Sequence, residues 1–303
     1  MAQVTKYKFL YLLGVVLLGI FILLITKKCE KKRPSPIELT DTIAETIPIP
    51  LPSKDIAYYL PGPQITNQYL KKLGIYPNKT LVNSYTNIEK YTTSENEALV
   101  LGVFIVDVGY MNLYREDEST ENYLKAISQL ARNIGLGSIF TADMYKKMVQ
   151  LRNNQDSLQR YLSYVFVTTN DFLKSNAQQR LATLVMAGAW IESFYLLCET
   201  YKEEGSTELL TFLYQQKYIL DNLIQAVKYF YKTSPTFDYI IETLIEMAYN
   251  FDVLDFRYTY KNPAVTKEND IYHVHNSCEI SGSASALEKI LSLTDELRTK
   301  VVQ

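Results

Sequence analysis

Residues 176–205 most constrain what this chain can fold into, because the middle of this stretch has no polar side. Its heptad-spaced positions are filled by Leu181, Leu184, Gly188, Ile191, Tyr195 and Cys198. The positions between them are filled by Val185, Met186, Ala189, Trp190, Phe194 and Leu197. A helix that is apolar all round lies inside a large core or a membrane. The stretch therefore predicts the buried axis of a helical domain.

A second helix is predicted to pack against that axis. Ser94 and Glu97 form a capping box, and the helix that follows, over residues 95–115, is apolar from 99 to 108 except at Asp107. Gly102 and Gly109 lie seven residues apart on one face of it. Each Gly costs a helix about 1 kcal/mol relative to Ala, which indicates that another backbone packs closely there. We expect the crossing partner to be the small-residue segment 187–189.

The other periodic segments make the domain helical throughout. The predicted helices cover residues 66–73, 95–115, 120–134, 141–151, 156–175, 176–205, 207–232, 236–254 and 284–302. Residues 262–282 lack a helical period and are predicted to be a loop, with a strand at 271–274 as the alternative. The expected fold class is all-α: an irregular bundle of eight or nine helices over residues 56–303, with an α-solenoid of helical hairpins as the alternative.

The N-terminal region predicts attachment to a membrane. After a short tail at 1–8, residues 9–26 carry no charge and would span about 27 Å as a helix. A retained transmembrane anchor is the first interpretation. A cleaved signal, or one lipidated at Cys29, is the alternative, although Lys27 and Lys28 stand where lipidation requires small residues. A soluble core helix is the third interpretation.

Residues 27–55 are basic and then rich in proline. Pro48, Pro50 and Pro52 occupy alternate positions, which favours an extended stalk, or alternatively a ligand for a proline-binding partner. The excess of Lys and Arg after the apolar segment favours a cytoplasmic body. The resemblance of the N-terminus to an export signal favours a body on the periplasmic side, so both sides stay open.

Asp107 and Glu192 are the candidate functional residues, because each is a lone acid in an apolar helix and the two helices are predicted to touch. A buried carboxyl is costly unless it is hydrogen-bonded. A Tyr, Lys or Arg side chain, or a helix N-terminus, would make the acids structural. A polar pocket would make them a ligand or cation site, to which Tyr110 and Tyr195 would contribute. Acid–base catalysis lacks a neighbouring nucleophile or electrophile, so no catalytic residue and no enzyme activity is predicted.

Other binding chemistry has little support. A bundle-type metal centre needs His on its helices, and both His lie outside them. His273, His275 and Cys278 form a small candidate for a transition-metal site, and no cofactor is predicted. Three Cys cannot form a disulfide framework, although a Cys198–Cys278 disulfide is an alternative. A net charge of -2 argues against nucleic-acid binding.

Several motifs resemble those of an uncharacterised group of Bacteroidota cell-envelope proteins. The motifs are Leu-Pro-Gly-Pro at 60–63, the segment 91–110, Ala-Gly-Ala-Trp-Ile-Glu-Ser-Phe-Tyr at 187–195, and Leu-Arg at 297–298. The positions that match recurrent residues of that group are Gly102, Asp107, Tyr110, Gly188, Trp190, Glu192 and Tyr195. The resemblance implies an exported helical lipoprotein, but Lys28 departs from the lipidation pattern.

The expected function is therefore that of a non-enzymatic, membrane-anchored envelope protein. Its body would act as a scaffold or accessory subunit and would bind protein partners in a membrane complex. The alternative is an envelope protein that binds a small ligand or cation through Asp107 and Glu192.

Overall fold

The structure, a computed structural model, describes residues 64–113, 117–175, 178–258, 264–268, 271–275 and 278–303. The predicted anchor at 9–26, the stalk at 27–55 and Cys29 lie outside these residues. The helices are α1 (Gln64–Lys72), α2 (Ser94–Asn112), α3 (Asp117–Asn133), α4 (Ala142–Leu151), α5 (Gln155–Ser175), α6 (Gln179–Glu204), α7 (Thr207–Gln215), α8 (Lys217–Val227), α9 (Pro235–Asp252) and α10 (Ala284–Val302). Short 3-10 helices cover Tyr85–Lys90 and Lys228–Phe230.

The predicted all-α irregular bundle is confirmed for the described residues. Its centre is the pair α2 and α6, which pack against each other along their length although about 85 residues separate them in sequence. The C-terminal helix α10 packs against α6, α9 and α2. Contacts between helices so distant in sequence exclude the α-solenoid alternative, in which each repeat touches only its neighbours.

The central helices cross at glycine, as the sequence predicts. A Cβ atom on Gly102 would lie 2.6 Å from the backbone nitrogen of Ala189 and would overlap the backbone oxygen of Val185. A Cβ atom on Gly188 would overlap the backbone oxygen of Leu99. The two backbones are therefore in contact, and any side chain at either glycine would force them apart.

Gly109 has a different role from the one predicted. A Cβ atom there would lie 2.8 Å from Asn67 Nδ2 on α1 and 3.2 Å from Gln159 Oε1 on α5. Gly109 thus makes room for two amide side chains rather than for the backbone of α6. Seven residues move the chain about 10 Å along a helix axis, so the crossing helices have already diverged at this position.

The predicted single helix over 207–232 is wrong, because the chain bends at Gln216. The Gln216 N–H donates to Leu213 O at 3.0 Å and the Ile219 N–H donates to Gln216 O at 3.0 Å, so the helix tightens locally to three-residue hydrogen bonding. The bend separates α7, which packs on α6, from α8, which packs mainly on α9. It also raises the number of α-helices among the described residues to ten.

The described residues within 255–281 form four short strands between α9 and α10. Strands β1 (Asp255–Tyr258) and β4 (Cys278–Ser281) pair antiparallel, as do β2 (Ala264–Glu268) and β3 (Ile271–His275). The predicted loop over 262–282 is therefore wrong for these strands, whereas the alternative strand at 271–274 is confirmed. Val265 and Thr266 in β2, and the alternating β-branched and aromatic residues of β3, are residue types that favour strands.

The central helix α6 is the one described helix long and apolar enough to cross a membrane. In its most apolar 18-residue window, 89% of the residues are buried inside the protein. Its composition is therefore explained by its position in the core.

Candidate functional site

The crossing of α2 and α6 brings the two predicted acids together. Asp107 and Glu192 are both fully buried, and the Glu192 carboxyl lies close enough to raise the pKa of Asp107. The sequence-based expectation that the helices carrying these acids would pack together is confirmed. Two buried carboxyls in contact require either a shared proton or a nearby cation.

Arg298 of α10 supplies the cation. Its Nε lies 3.1 Å from Glu192 Oε2 and its Nη2 lies 3.2 Å from Glu192 Oε1, so the guanidinium group contacts both carboxylate oxygens. Arg298 Nη2 also donates to the backbone oxygen of Leu81 at 2.9 Å. The Arg298 side chain is 14% exposed, and its guanidinium carbon lies 4.6 Å from the centre of the Tyr195 ring. This bidentate geometry is typical of an ion pair between a guanidinium group and a carboxylate.

Asp107 is held differently. Its Oδ2 accepts a hydrogen bond from the backbone N–H of Asn83 at 3.2 Å, while no donor in the described residues reaches its Oδ1. Burial and then the negative charge of Glu192 raise the pKa of Asp107 well above its ordinary value, and the positive charge of Arg298 only partly opposes this. The raised pKa favours the neutral, protonated form of Asp107, whereas Arg298 and Glu192 form the ion pair of the group.

Arg298 keeps its positive charge although it is largely buried. Burial alone would lower the pKa of Arg298, but the charge and hydrogen bonds of Glu192 outweigh burial and raise it. Arg298 therefore stays a cation throughout the stable range of the protein. The group therefore consists of the Arg298–Glu192 ion pair and the neighbouring buried acid Asp107.

A shell of amide and phenol groups joins these residues to the segment before α2. Asn83 Nδ2 donates to the Tyr91 hydroxyl at 2.9 Å, and that hydroxyl donates to Val302 O at 3.0 Å. Tyr123 of α3 donates to Asn83 O at 2.8 Å. Burial raises the pKa of Tyr123, so its phenol remains a donor. The network thereby ties residues 81–91 to α2, α3 and α10.

The two predicted tyrosines have separate environments. Tyr195 stacks on Arg298 and so belongs to the buried group. The Tyr110 hydroxyl accepts from the backbone N–H of Asn78 at 2.9 Å, and this bond fixes the loop after α1. The prediction that Tyr110 and Tyr195 line a ligand pocket with Asp107 and Glu192 remains a prediction.

Two cavities, of 420 and 390 Å³, lie on either side of Tyr239 and Lys300. Neither is lined by Asp107 or Glu192. Because both acids are fully buried, a ligand would reach them only if an element that covers them moved.

The candidate transition-metal site at His273, His275 and Cys278 stays a prediction. Among the side chains that the structure describes, no three His, Cys, Asp or Glu residues are grouped to hold a metal ion. His273 and His275 lie on β3, with Thr266 and Ala264 as their backbone partners, and Cys278 begins β4. The side chains of these strand residues lie outside the described part of the chain.

Cys198 is a buried free thiol, so the alternative of a Cys198–Cys278 disulfide is wrong. Its Sγ lies 4.0 Å from Thr294 Oγ1. Burial raises the pKa of Cys198, which keeps it protonated and unreactive. It therefore behaves as a small core residue.

The sequence analysis did not identify Arg298 as the partner of Glu192. A signal for it exists: Arg298 follows Leu291 and Thr294 at the spacing of the buried stripe of α10, so it occupies a position where an apolar residue is expected. A charged residue in such a register indicates a buried ionic partner. Which acid it would meet depends on how α10 packs.

Comparisons of this chain with protein-family models, with curated proteins and with solved structures found no match.

Proposed function

We propose that this protein is a non-enzymatic, membrane-anchored protein of the cell envelope, whose helical body is a scaffold or accessory subunit of a larger membrane assembly. The observation that carries the proposal is a row of exposed apolar side chains on the body. Ile245 and Tyr249 on α9, and Val253 directly after it, follow one another at four-residue spacing, and Tyr249 is 69% exposed and Val253 60% exposed. Contiguous exposed apolar groups are typical of protein-binding surfaces.

A further exposed tyrosine, Tyr218, lies in the first turn of α8. Lys217, which precedes it, forms an ion pair with Asp252 at the end of α9, so the first turn of α8 lies beside the end of α9. Tyr218 is 62% exposed. We name Tyr218, Ile245, Tyr249 and Val253 the α8–α9 row. Exposed tyrosine is a residue type enriched at interfaces, because it offers a large apolar ring and a polar hydroxyl together.

The buried ionic group supports a structural rather than a catalytic body. Its two charges are paired between Arg298 and Glu192, and both of its acids are fully buried. A catalytic acid or base must reach a substrate. The hydrogen bonds of the group instead connect the C-terminal helix and the segment before α2 to the core.

The membrane attachment and its side rest on the sequence. The uncharged residues 9–26 support an anchor and the Pro-rich residues 34–55 support a spacer between membrane and body. The resemblance to exported envelope proteins favours the periplasmic side, and a cytoplasmic body is the alternative. Protease added to intact spheroplasts would digest a periplasmic body and spare a cytoplasmic one.

Site-specific crosslinking tests the scaffold. A photoreactive amino acid replaces Tyr249 in the full-length protein in cells, and the same residue replaces Lys146, whose side chain is 70% exposed on α4, as the matched control. We expect one or a few discrete crosslinked proteins from position 249 and none of these from position 146. Equal, diffuse crosslinking from both positions, together with a monomer after purification in mild detergent, would contradict the proposal.

A small-ligand or cation site at Asp107 and Glu192 is the second candidate. The Asp107 Oδ1 atom, which no described donor reaches, is the observation that favours it. A cation that binds there would stabilise the full-length protein against heat, and Asp107→Asn would abolish that stabilisation without unfolding the body. If millimolar Na⁺, K⁺, Mg²⁺ or Ca²⁺ leaves the melting temperature unchanged, the group is structural.

A further inference from the structure

A cleft of 390 Å³ opens between the first turns of α2 and α9 and the last turn of α10. Its floor is apolar and formed by Leu99, Ile240 and Val301, which are at least nine-tenths buried. One wall is the ring of Tyr239. Cavities of this size and lining are typical of sites for small molecules.

The rim of the cleft carries a cation. Lys300 Nζ lies 5.3 Å from the centre of the Tyr239 ring, and Lys300 makes no ion pair or hydrogen bond with the described residues. Thr236 also lines the cleft, and its hydroxyl likewise makes no hydrogen bond within the described part of the chain. The Asn96 amide completes the polar side. An ammonium group and a hydroxyl are therefore available to a ligand above an apolar floor.

The acids near the cleft are engaged elsewhere. Glu95, which precedes Asn96, forms an ion pair with Arg180 and accepts a hydrogen bond from the Ser234 hydroxyl at 2.9 Å. Glu296 lines the neighbouring 420 Å³ cavity, where its Oε1 lies 3.5 Å from the Tyr239 hydroxyl. Gln303 also lines the 390 Å³ cleft, and Lys300 is the one charged side chain among its lining residues.

We propose that this cleft binds a small molecule that joins one apolar or aromatic group to one carboxylate. The apolar group lies on Leu99, Ile240 and Val301, where burial removes it from water. The carboxylate accepts from the Lys300 ammonium and the Thr236 hydroxyl at the rim. This site is separate from the α8–α9 row and does not depend on the proposed scaffold function.

The test uses three probes on the full-length protein in a mild non-ionic detergent. The probes are 3-phenylpropionate, its neutral analogue 3-phenylpropanamide, and acetate. Titration calorimetry should show saturable binding of 3-phenylpropionate at millimolar or lower concentration. The amide lacks the charge and acetate lacks the ring, so each should bind about tenfold more weakly or not measurably.

Surface variants assign the binding to the cleft. Lys300→Gln should weaken 3-phenylpropionate binding about tenfold and leave the amide unaffected, because it removes the charge alone. Thr236→Val should weaken carboxylate binding severalfold, and Lys146→Gln, a change of an exposed lysine on α4, should have no effect. The proposal is overturned if 3-phenylpropionate does not bind saturably, if the three probes bind equally, or if Lys300→Gln binds like the unaltered protein.

Discussion

Arg298 and Glu192 form a bidentate ion pair between α10 and α6, and the Glu192 carboxylate is fully buried in it. Moving both charges out of water costs much of what their attraction returns. The pair is therefore best understood as a constraint: α10 can dock on the core only in the register that brings the two residues together. Loss of one partner is far more costly than loss of both, because it leaves the other charge buried alone.

A double-mutant cycle compares the cost of losing one partner of the Arg298–Glu192 pair with the cost of losing both. Glu192→Leu or Arg298→Met alone should lower the free energy of unfolding by about 3 to 5 kcal/mol. The double variant should lose much less than the sum of the two, because no unpaired charge remains. Chemical denaturation of the full-length protein in mild detergent gives the four free energies. Additive losses would show that the two side chains do not interact in solution.

Asp107 makes stability depend on pH. Its pKa is raised in the folded protein, first by burial and then by Glu192. The unfolded chain releases the Asp107 proton near pH 4, whereas the folded protein keeps it. The stabilisation is therefore complete below that pH and is lost as pH rises towards the folded pKa, by about 1.4 kcal/mol per pH unit.

Asp107→Asn tests this behaviour, since Asn is a permanently neutral analogue of the protonated acid. Its stability relative to the unaltered protein should increase as pH rises above about 4 towards the folded pKa of Asp107, because only the unaltered protein loses stability through Asp107. Denaturation at several pH values checks this. The control is Asp143→Asn, a carboxyl that is 95% exposed and solvated in both states, which should leave the pH profile nearly unchanged. A relative stability of Asp107→Asn that is flat or falls with pH would show that Asp107 is ionised in the fold.

The sequence predicts those parts of the fold that a residue pattern within one helix indicates. The pairing of α2 with α6 follows from two apolar helices and from Gly102 and Gly188, which are informative because a helix tolerates glycine poorly. The bend at Gln216 has no such signal: no Pro or Gly interrupts the segment. It arises because α7 and α8 pack on different neighbours, and packing overrides a continuous helical pattern.

The residues of the candidate site are likewise predicted only in part. Asp107 and Glu192 stand out within their own helices, so the sequence identifies them. Arg298 and Asn83 reach them from segments far away along the chain, and their roles depend on how α10 and the loop before α2 dock. The sequence therefore identifies the acids but not what satisfies them.

Cys198 should resist chemical modification in the folded protein. It is fully buried and its raised pKa keeps the thiol protonated, so iodoacetamide has neither access nor a thiolate to attack. Mass spectrometry should find Cys198 unmodified after native treatment and fully modified after treatment in denaturant. Rapid native labelling would mean that α6 and α10 separate often near Thr294. Non-reducing peptide mapping should also find no peptide that links Cys198 to Cys278.

The glycine crossing gives the sharpest test of the core. Gly102→Ala and Gly188→Ala would each place a methyl group inside the backbone of the opposing helix, where no side-chain rearrangement can make room. Each should lower the free energy of unfolding by about 3 kcal/mol or more, despite the better helix propensity of Ala.

Gly137→Ala is the matched control, because the new methyl group would have Arg132 Cγ, at 3.9 Å, as its nearest neighbour. It should change stability by less than about 1 kcal/mol. Melting temperature and denaturant midpoint of the full-length protein compare the three variants. If Gly102→Ala and Gly188→Ala are as stable as Gly137→Ala, the backbones of α2 and α6 are not in contact, and the bundle must be packed farther apart at its centre.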